Sequence, residues 1–294
     1  MIEYITGVIS ALKQGVEGIA KVKSWWSDRQ DVVHSQAQRM LMLFERHEIP
    51  RQQIVRILPP QFAIPMTAFS SADKLKAVLT PALLDWASET FCVSRAWLDG
   101  VQRHPHEPVH VYKRPQRMHA WLKERSAAVD GRTMLLHVLM EHSASDLQGA
   151  SGAFVVVLEE CFGEIDQRAL SRYWVMSEGW HFDHQPCAMD LLCLMTIAES
   201  LNVTSCGHEV DRKFIKQFEE GGLLAPEFID KGRRGCRIIE WVPASGDDAA
   251  MTPYHQTVWR EARKRLIGVD LKDALWFDKS MRSGELHPPI QGNP

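Results

Sequence analysis

The 294-residue chain contains no run of about 18 apolar residues, the length a helix needs to cross a bilayer. Its start lacks the charged segment, apolar run and small-residue cleavage site of a secretory signal. A cytoplasmic protein without a membrane partner is therefore the expectation. Six cysteines (Cys92, Cys161, Cys187, Cys193, Cys206 and Cys236) are few for this length and include no CxxC pair, which argues against a disulfide frame and fits buried reduced thiols. Missing too are a Walker glycine loop, a GxSxG elbow, an HExxH helix and a dinucleotide-binding glycine fingerprint, so neither catalysis nor a cofactor is expected. The chain holds no internal repeat or low-complexity tract.

What is present is an ordinary globular composition, 45% hydrophobic, with charge distributed unevenly around a net value of -3. Residues 30–126 carry 13 basic and 9 acidic side chains, whereas residues 127–294 carry 17 and 25. An anionic partner would meet the middle of the chain. Ahead of it, residues 2–26 place Ile5, Val8, Ile9, Leu12, Val16 and Ile19 at helical spacing. This amphipathic segment, taken as residues 1–29, needs a surface to lie on because Gly7, Gly15 and Gly18 weaken it. Its weakly basic polar face favours its own domain or a second copy over a membrane. A role in dimerisation is expected.

From 35 to 100 the segments read as short helices. They are SQAQRMLMLFERHEI, PRQQIVRIL with Pro50 at its start, a proline-interrupted FAIPMTAFSSADKLKAVL, TPALLDWASETF capped by Thr80, and SRAWLDG with Ser94 as cap and Gly100 as stop. Residues 102–116, with three prolines and three histidines, read as a linker. Beyond it come strands at 133–140, 152–162 and 170–182, a helix at 187–201, a strand SCGHEV, a helix RKFIKQFEEGG, a strand at 236–243 and a last amphipathic helix from Pro253. The predicted class is α+β: a helical head over 30–101, then over 117–294 an antiparallel sheet covered on one face by helices.

Two blocks of the head carry a resemblance. RMLMLFERHEIPRQQIVRILPPQFAIP supplies Arg39, Leu43, Glu45, Ile49, Gln53, Ile54 and Leu58. LLDWASETFCVSRAWLDG supplies Leu84, Ala87, Phe91, Val93, Ser94, Trp97, Leu98 and Gly100. Together, over about residues 35–101, they resemble the lambda-repressor-like (Cro/C1-type) helix-turn-helix domain. The later block is scaffold, packing behind the reading helix in that family. The resemblance implies a homodimeric DNA-binding transcriptional regulator that grips double-stranded DNA. Arg51, Arg56, Lys74, Lys76 and Arg95 would sit on phosphates, with Gln52, Gln61 and Thr67 on bases. The segment that follows Leu58 departs from the pattern. Pro59, Pro60 and Pro65 remove backbone donors, and Phe62, Ile64 and Met66 have nothing to offer a base edge. A protein-interaction adaptor that keeps the fold without binding DNA is the alternative.

In the second part WHFDHQPC gathers His181, Asp183, His184 and Cys187, with Cys206 and His208 about twenty residues later. These are zinc-ligand types, but His-x-x-His-x-x-Cys is not a standard zinc spacing. No metal is assigned, and His181, His184, Cys187, Cys206 and His208 stand as candidates beside a surface or core reading. Glu159, Glu160, Glu164 and Asp166 read as a solvated strand end. Trp174, Trp180, Trp241, Tyr173 and Arg172 line either core or the pocket of a small-molecule or protein effector.

Overall fold

The computed structural model describes residues 31–128, 133–141, 152–176, 179–236 and 253–271. The amphipathic segment 2–26, Trp241 and the strand expected beyond Cys236 lie outside them. The chain divides into two units. One runs to Asp85 and takes in Leu98–Gln102, and the other comprises Trp86–Trp97 and the chain from Arg103.

The first unit is helical. Helix α1 (Val32–Arg46) starts where the Asp31 carboxylate accepts the His34 N–H (2.8 Å), and it buries Ala37, Met40, Leu41, Leu43 and Phe44 along one face. Helix α2 (Ile54–Ile57) has four residues, and α3 (Ala72–Lys76) is capped by Ser71. Phe44 meets Phe69 edge to face, 6.1 Å between centroids. Helix α4 (Pro81–Phe91) opens as its sequence predicts, with Thr80 Oγ1 accepting the Leu83 N–H (3.2 Å), and the division between units falls within it. Helix α5 (Arg95–Leu98), whose first three residues belong to the second unit, ends at Gly100, whose φ of +81° suits a residue without a Cβ. Ser94, expected to cap α5, donates its hydroxyl to Glu107 (3.1 Å).

The second unit is α+β. Strands β1 (Met134–Glu141), β2 (Ala153–Ile165) and β3 (Arg168–Val175) form an antiparallel meander, and the two-residue β4 (Trp180–His181) pairs with the start of β2. Helix α6 (Pro115–Ala128) precedes β1. After β4 come α7 (Gln185–Ser200), β5 (Thr204–Val210), α8 (Arg212–Glu219), α9 (Ala225–Asp230), β6 (Arg233–Cys236) and α10 (Pro253–Leu266). The strand order is β3-β2-β1-β5-β6.

Two expectations are corrected. The sheet is mixed, because β5 lies parallel to β1, with Leu135 opposite Thr204 and Glu141 opposite Val210. The 16-residue α7 between β4 and β5 carries the chain back along the sheet, which a tight hairpin could not do. Helices also cover both faces. Leu136, Val138, Met140, Phe154, Val156 and Leu158 point to a core shared with residues of α6, α7 and α10. Leu139, Val155, Val157, Val175 and Val210 point the other way, onto Ile215, Phe218 and Phe228 of α8 and α9. The signal was in the strands: MLLHVLM and AFVVVL run apolar nearly without alternation, as strands buried on both sides do.

The stretch expected as a linker is packed within the second unit from Arg103 on. The Val109 N–H donates to the Val175 carbonyl (2.8 Å) along the outer edge of β3, and His106 is buried.

Phe154 is fully buried, stacked on Phe182 at 4.2 Å and set against Trp180. Phe154→Ala should cost about 3–5 kcal/mol of unfolding free energy through lost transfer energy and a residual cavity. Urea unfolding of the two proteins measures it, and a change under about 1 kcal/mol would contradict this packing.

Candidate functional site

Of the eight residues expected to touch DNA, seven lie in the first unit, and five of these stand exposed: Gln52, Arg56, Gln61, Thr67 and Lys74. The other two are held within the protein. Arg51 gives Nε and Nη2 to the Glu45 carboxylate and Nη1 to the Ser70 carbonyl (2.8 Å). Lys76 lies 2.9 Å from Asp31 Oδ2 and 3.4 Å from Asp73 Oδ1. The hydrogen bond with Asp31 chiefly holds its ammonium above the usual lysine range. These pairs are solvent-accessible and individually weak, yet each must be loosened or shared before its cation can serve a phosphate. Arg95 belongs to the second unit.

The segment after Leu58 is where the local structure departs from a helix-turn-helix. It contains no α-helix between Leu58 and Ser71. Two 3-10 turns, Pro60–Phe62 and Met66–Ser70, are separated by Ala63 in the left-handed region (φ 46°) and by Pro65. Prolines 59, 60 and 65 lack the N–H groups an α-helix would need there. Gln61 sits in the first turn and Thr67 in the second.

The histidine and cysteine candidates separate. His184 Nδ1 is 3.1 Å from Cys187 Sγ at the start of α7, and His181 lies on β4. Burial pushes the Cys187 thiol upward, so it stays protonated. Cys206 and His208 lie on β5, and His208 turns to a residue the sequence reading missed: its Nε2 is 2.9 Å from His137 Nδ1. His137 Nε2 in turn is 2.8 Å from Glu159 Oε2. With the carboxylate ionised and both rings neutral, His208 donates to His137 and His137 donates to Glu159, so each link has one donor and one acceptor. A single histidine inside MLLHVLM was its trace in the sequence. Among the described residues no group of three or more His, Cys, Asp or Glu could hold a metal ion.

Of the four carboxylates expected at a solvated strand end, Glu164 and Asp166 are exposed, whereas Glu159 and Glu160 lie within β2 and are drawn into the protein. Glu160 is 1% exposed and accepts hydrogen bonds from Arg172 and from Trp174 Nε1 (2.8 Å). Arg125 packs its guanidinium over Trp121, 3.7 Å from the centroid, and over Trp174 at 4.5 Å. On the edge of β3 beside this network lies a cleft of about 510 Å³, within the range of small-molecule sites. Tyr173 and Trp174 form one wall. Ser88, Glu89 and Cys92–Arg95 at and beyond the end of α4, with Glu107, Pro108 and Val109, form the other.

No family model, curated protein or solved structure matches the chain.

His106 holds the second wall in place. Its Nε2 accepts the Ala225 N–H (3.0 Å), which leaves Nδ1 as the donor to the Cys92 carbonyl (3.3 Å), and its ring lies over Phe218. Burial lowers its pKa to about 4, so the folded protein keeps it neutral. The unfolded chain takes up this proton near pH 6.5, so the stabilisation is complete above that pH. It is lost progressively as pH falls toward 4, by about 3 kcal/mol in all. Urea unfolding from pH 7.5 to 4.5 should show His106→Gln, already weaker at neutral pH, losing less stability on acidification than the parent. Parallel curves would contradict this role.

Proposed function

We propose that the chain is a DNA-binding transcriptional regulator. A repressor-like helical head over about residues 35–101 would meet double-stranded DNA, and the α+β part would sense an effector or join two copies into a homodimer. The observation that carries the reading is the exposure of Gln52, Arg56, Gln61, Thr67 and Lys74 within one short stretch of the first unit. Within the first unit the burial of Leu84 and Leu98 agrees with their reading as scaffold, while Ala87, Phe91, Val93 and Trp97 are buried in the second unit. With 3-10 turns in place of a long recognition helix, phosphate contacts from Arg56 and Lys74 carry most of the affinity. Base reading falls to the two glutamines and Thr67, and DNA shape contributes the remainder.

One observation favours the adaptor instead. Met66 is 51% exposed on the same segment while Arg51 and Lys76 are ion-paired, which suits an apolar protein contact better than a phosphate grip.

Fluorescence anisotropy of the full chain with a labelled duplex at several salt concentrations separates the two. A regulator binds with a steep salt dependence, and Arg56→Ala and Lys74→Ala each lower the slope of log affinity against log salt by about 1. Absence of binding even at about 50 mM salt sinks the DNA reading in favour of the adaptor.

A further inference from the structure

The positive excess in the middle of the chain does not lie in the head. Residues 30–102 carry seven basic and seven acidic side chains, and the surplus falls wholly on residues 103–126, with six basic against two acidic. From Arg103 on, these belong to the second unit. The same unit holds α10, and the stretch 253–271 adds Arg260, Arg263, Lys264 and Arg265 against Glu261 and Asp270.

The fold brings the two stretches together. At the start of α6, Gln116 Nε2 donates to the Ile267 carbonyl just beyond α10 (3.4 Å). Asp190 of α7 is a third point of contact, since Arg265 Nη1 lies 2.6 Å from its Oδ1 and Lys113 is near enough for its charge to be felt there. Two carboxylates of this face are thereby taken up, Asp190 by Arg265 and Glu261 by Lys264 (2.8 Å). Lys113, Arg114, Arg117 and Arg260 stand exposed, and none of the four is ion-paired among the described residues. Counting Glu124, Glu261 and Asp270, residues 110–127 and 253–271 hold nine lysines and arginines against three carboxylates. Such a surplus of fixed positive charge draws a polyanion.

The surroundings choose among polyanions. The apolar side of α10 is spent on the core: Val258, Trp259, Ala262 and Leu266 are buried, which leaves Tyr254 and Ile267 as the exposed large apolar side chains there. A helix lying on a membrane needs a whole apolar face to bury, and a protein interface needs apolar anchors at its centre. A face of guanidinium and ammonium groups with neither suits a rigid array of phosphates, which a duplex offers at about one charge per 1.7 Å of axis.

We propose that the face formed by residues 113–117 and α10 binds the phosphate backbone of a nucleic-acid duplex, without reading its bases. This surface lies outside the helical head, and its binding does not rest on the head's contacts.

Fluorescence anisotropy of the full chain with labelled DNA duplexes of two unrelated sequences tests it across a salt series. Both duplexes should bind alike. Arg117→Ala and Arg260→Ala, on separate helices, should each lower the slope of log affinity against log salt by about 1 on either duplex, with unchanged melting temperature. Arg117→Lys should keep the slope. No duplex binding at about 50 mM salt, unchanged slopes in both alanine variants, or equally tight binding of phosphatidylserine vesicles or polyglutamate overturns the proposal. Arg56→Ala and Lys74→Ala run in the same assay separate this face from the head. A slope that falls only in those two overturns the proposal and leaves the head, and a slope that falls only in Arg117→Ala and Arg260→Ala does the reverse.

Discussion

Strands β1 and β2 present apolar side chains to both faces of the sheet, and such strands are unstable until two separate layers cover them. This constraint organises the second unit. One face needs α6, α7 and α10, and the other needs α8 and α9. The return of the chain through α7 then sets β5 parallel to β1, with its register spanning Leu135–Glu141 against Thr204–Val210. A sheet with one solvated face would have needed only one of these layers.

The histidines and carboxylates admitted into this apolar setting have found partners, because an uncompensated polar group inside costs more than a hydrogen bond returns. His137 lies between His208 and Glu159, Glu160 between Arg172 and Trp174, and His106 between Cys92 and Ala225. The last two arrangements flank the cleft. The outer edge of β3 has no neighbouring strand beyond it among the described residues; it is met by the Val109 N–H, and the cleft lies along that edge. An exposed strand edge with unused backbone groups invites unwanted pairing, and a crossing segment of chain is one way to close it.

In the first unit the deciding constraint is proline. Pro59, Pro60 and Pro65 break what would otherwise be a second helix into two 3-10 turns, and the exposed polar residues there are carried on turns. This much was readable, since a proline removes its donor wherever the chain goes. The pairing of Arg51 with Glu45 and of Lys76 with Asp31 was not. Forty-five residues separate Lys76 from Asp31, and nothing in either local sequence specifies that they meet.

The sequence by itself determined the identity of most elements: the Thr80 cap and Pro81 start of α4, the stop at Gly100, the apolar runs of β1 and β2, and the amphipathic α10. These follow from caps, backbone freedom and periodicity, which act over a few residues. Only the tertiary structure decided that the sheet is mixed and doubly covered, that Glu160 is buried, and that His106 reaches Ala225 across 119 positions to hold one wall of the cleft. Those facts depend on strand order and layer packing. A polar side chain takes its partner from whatever the fold brings within hydrogen-bond reach, and sequence spacing carries no record of that distance.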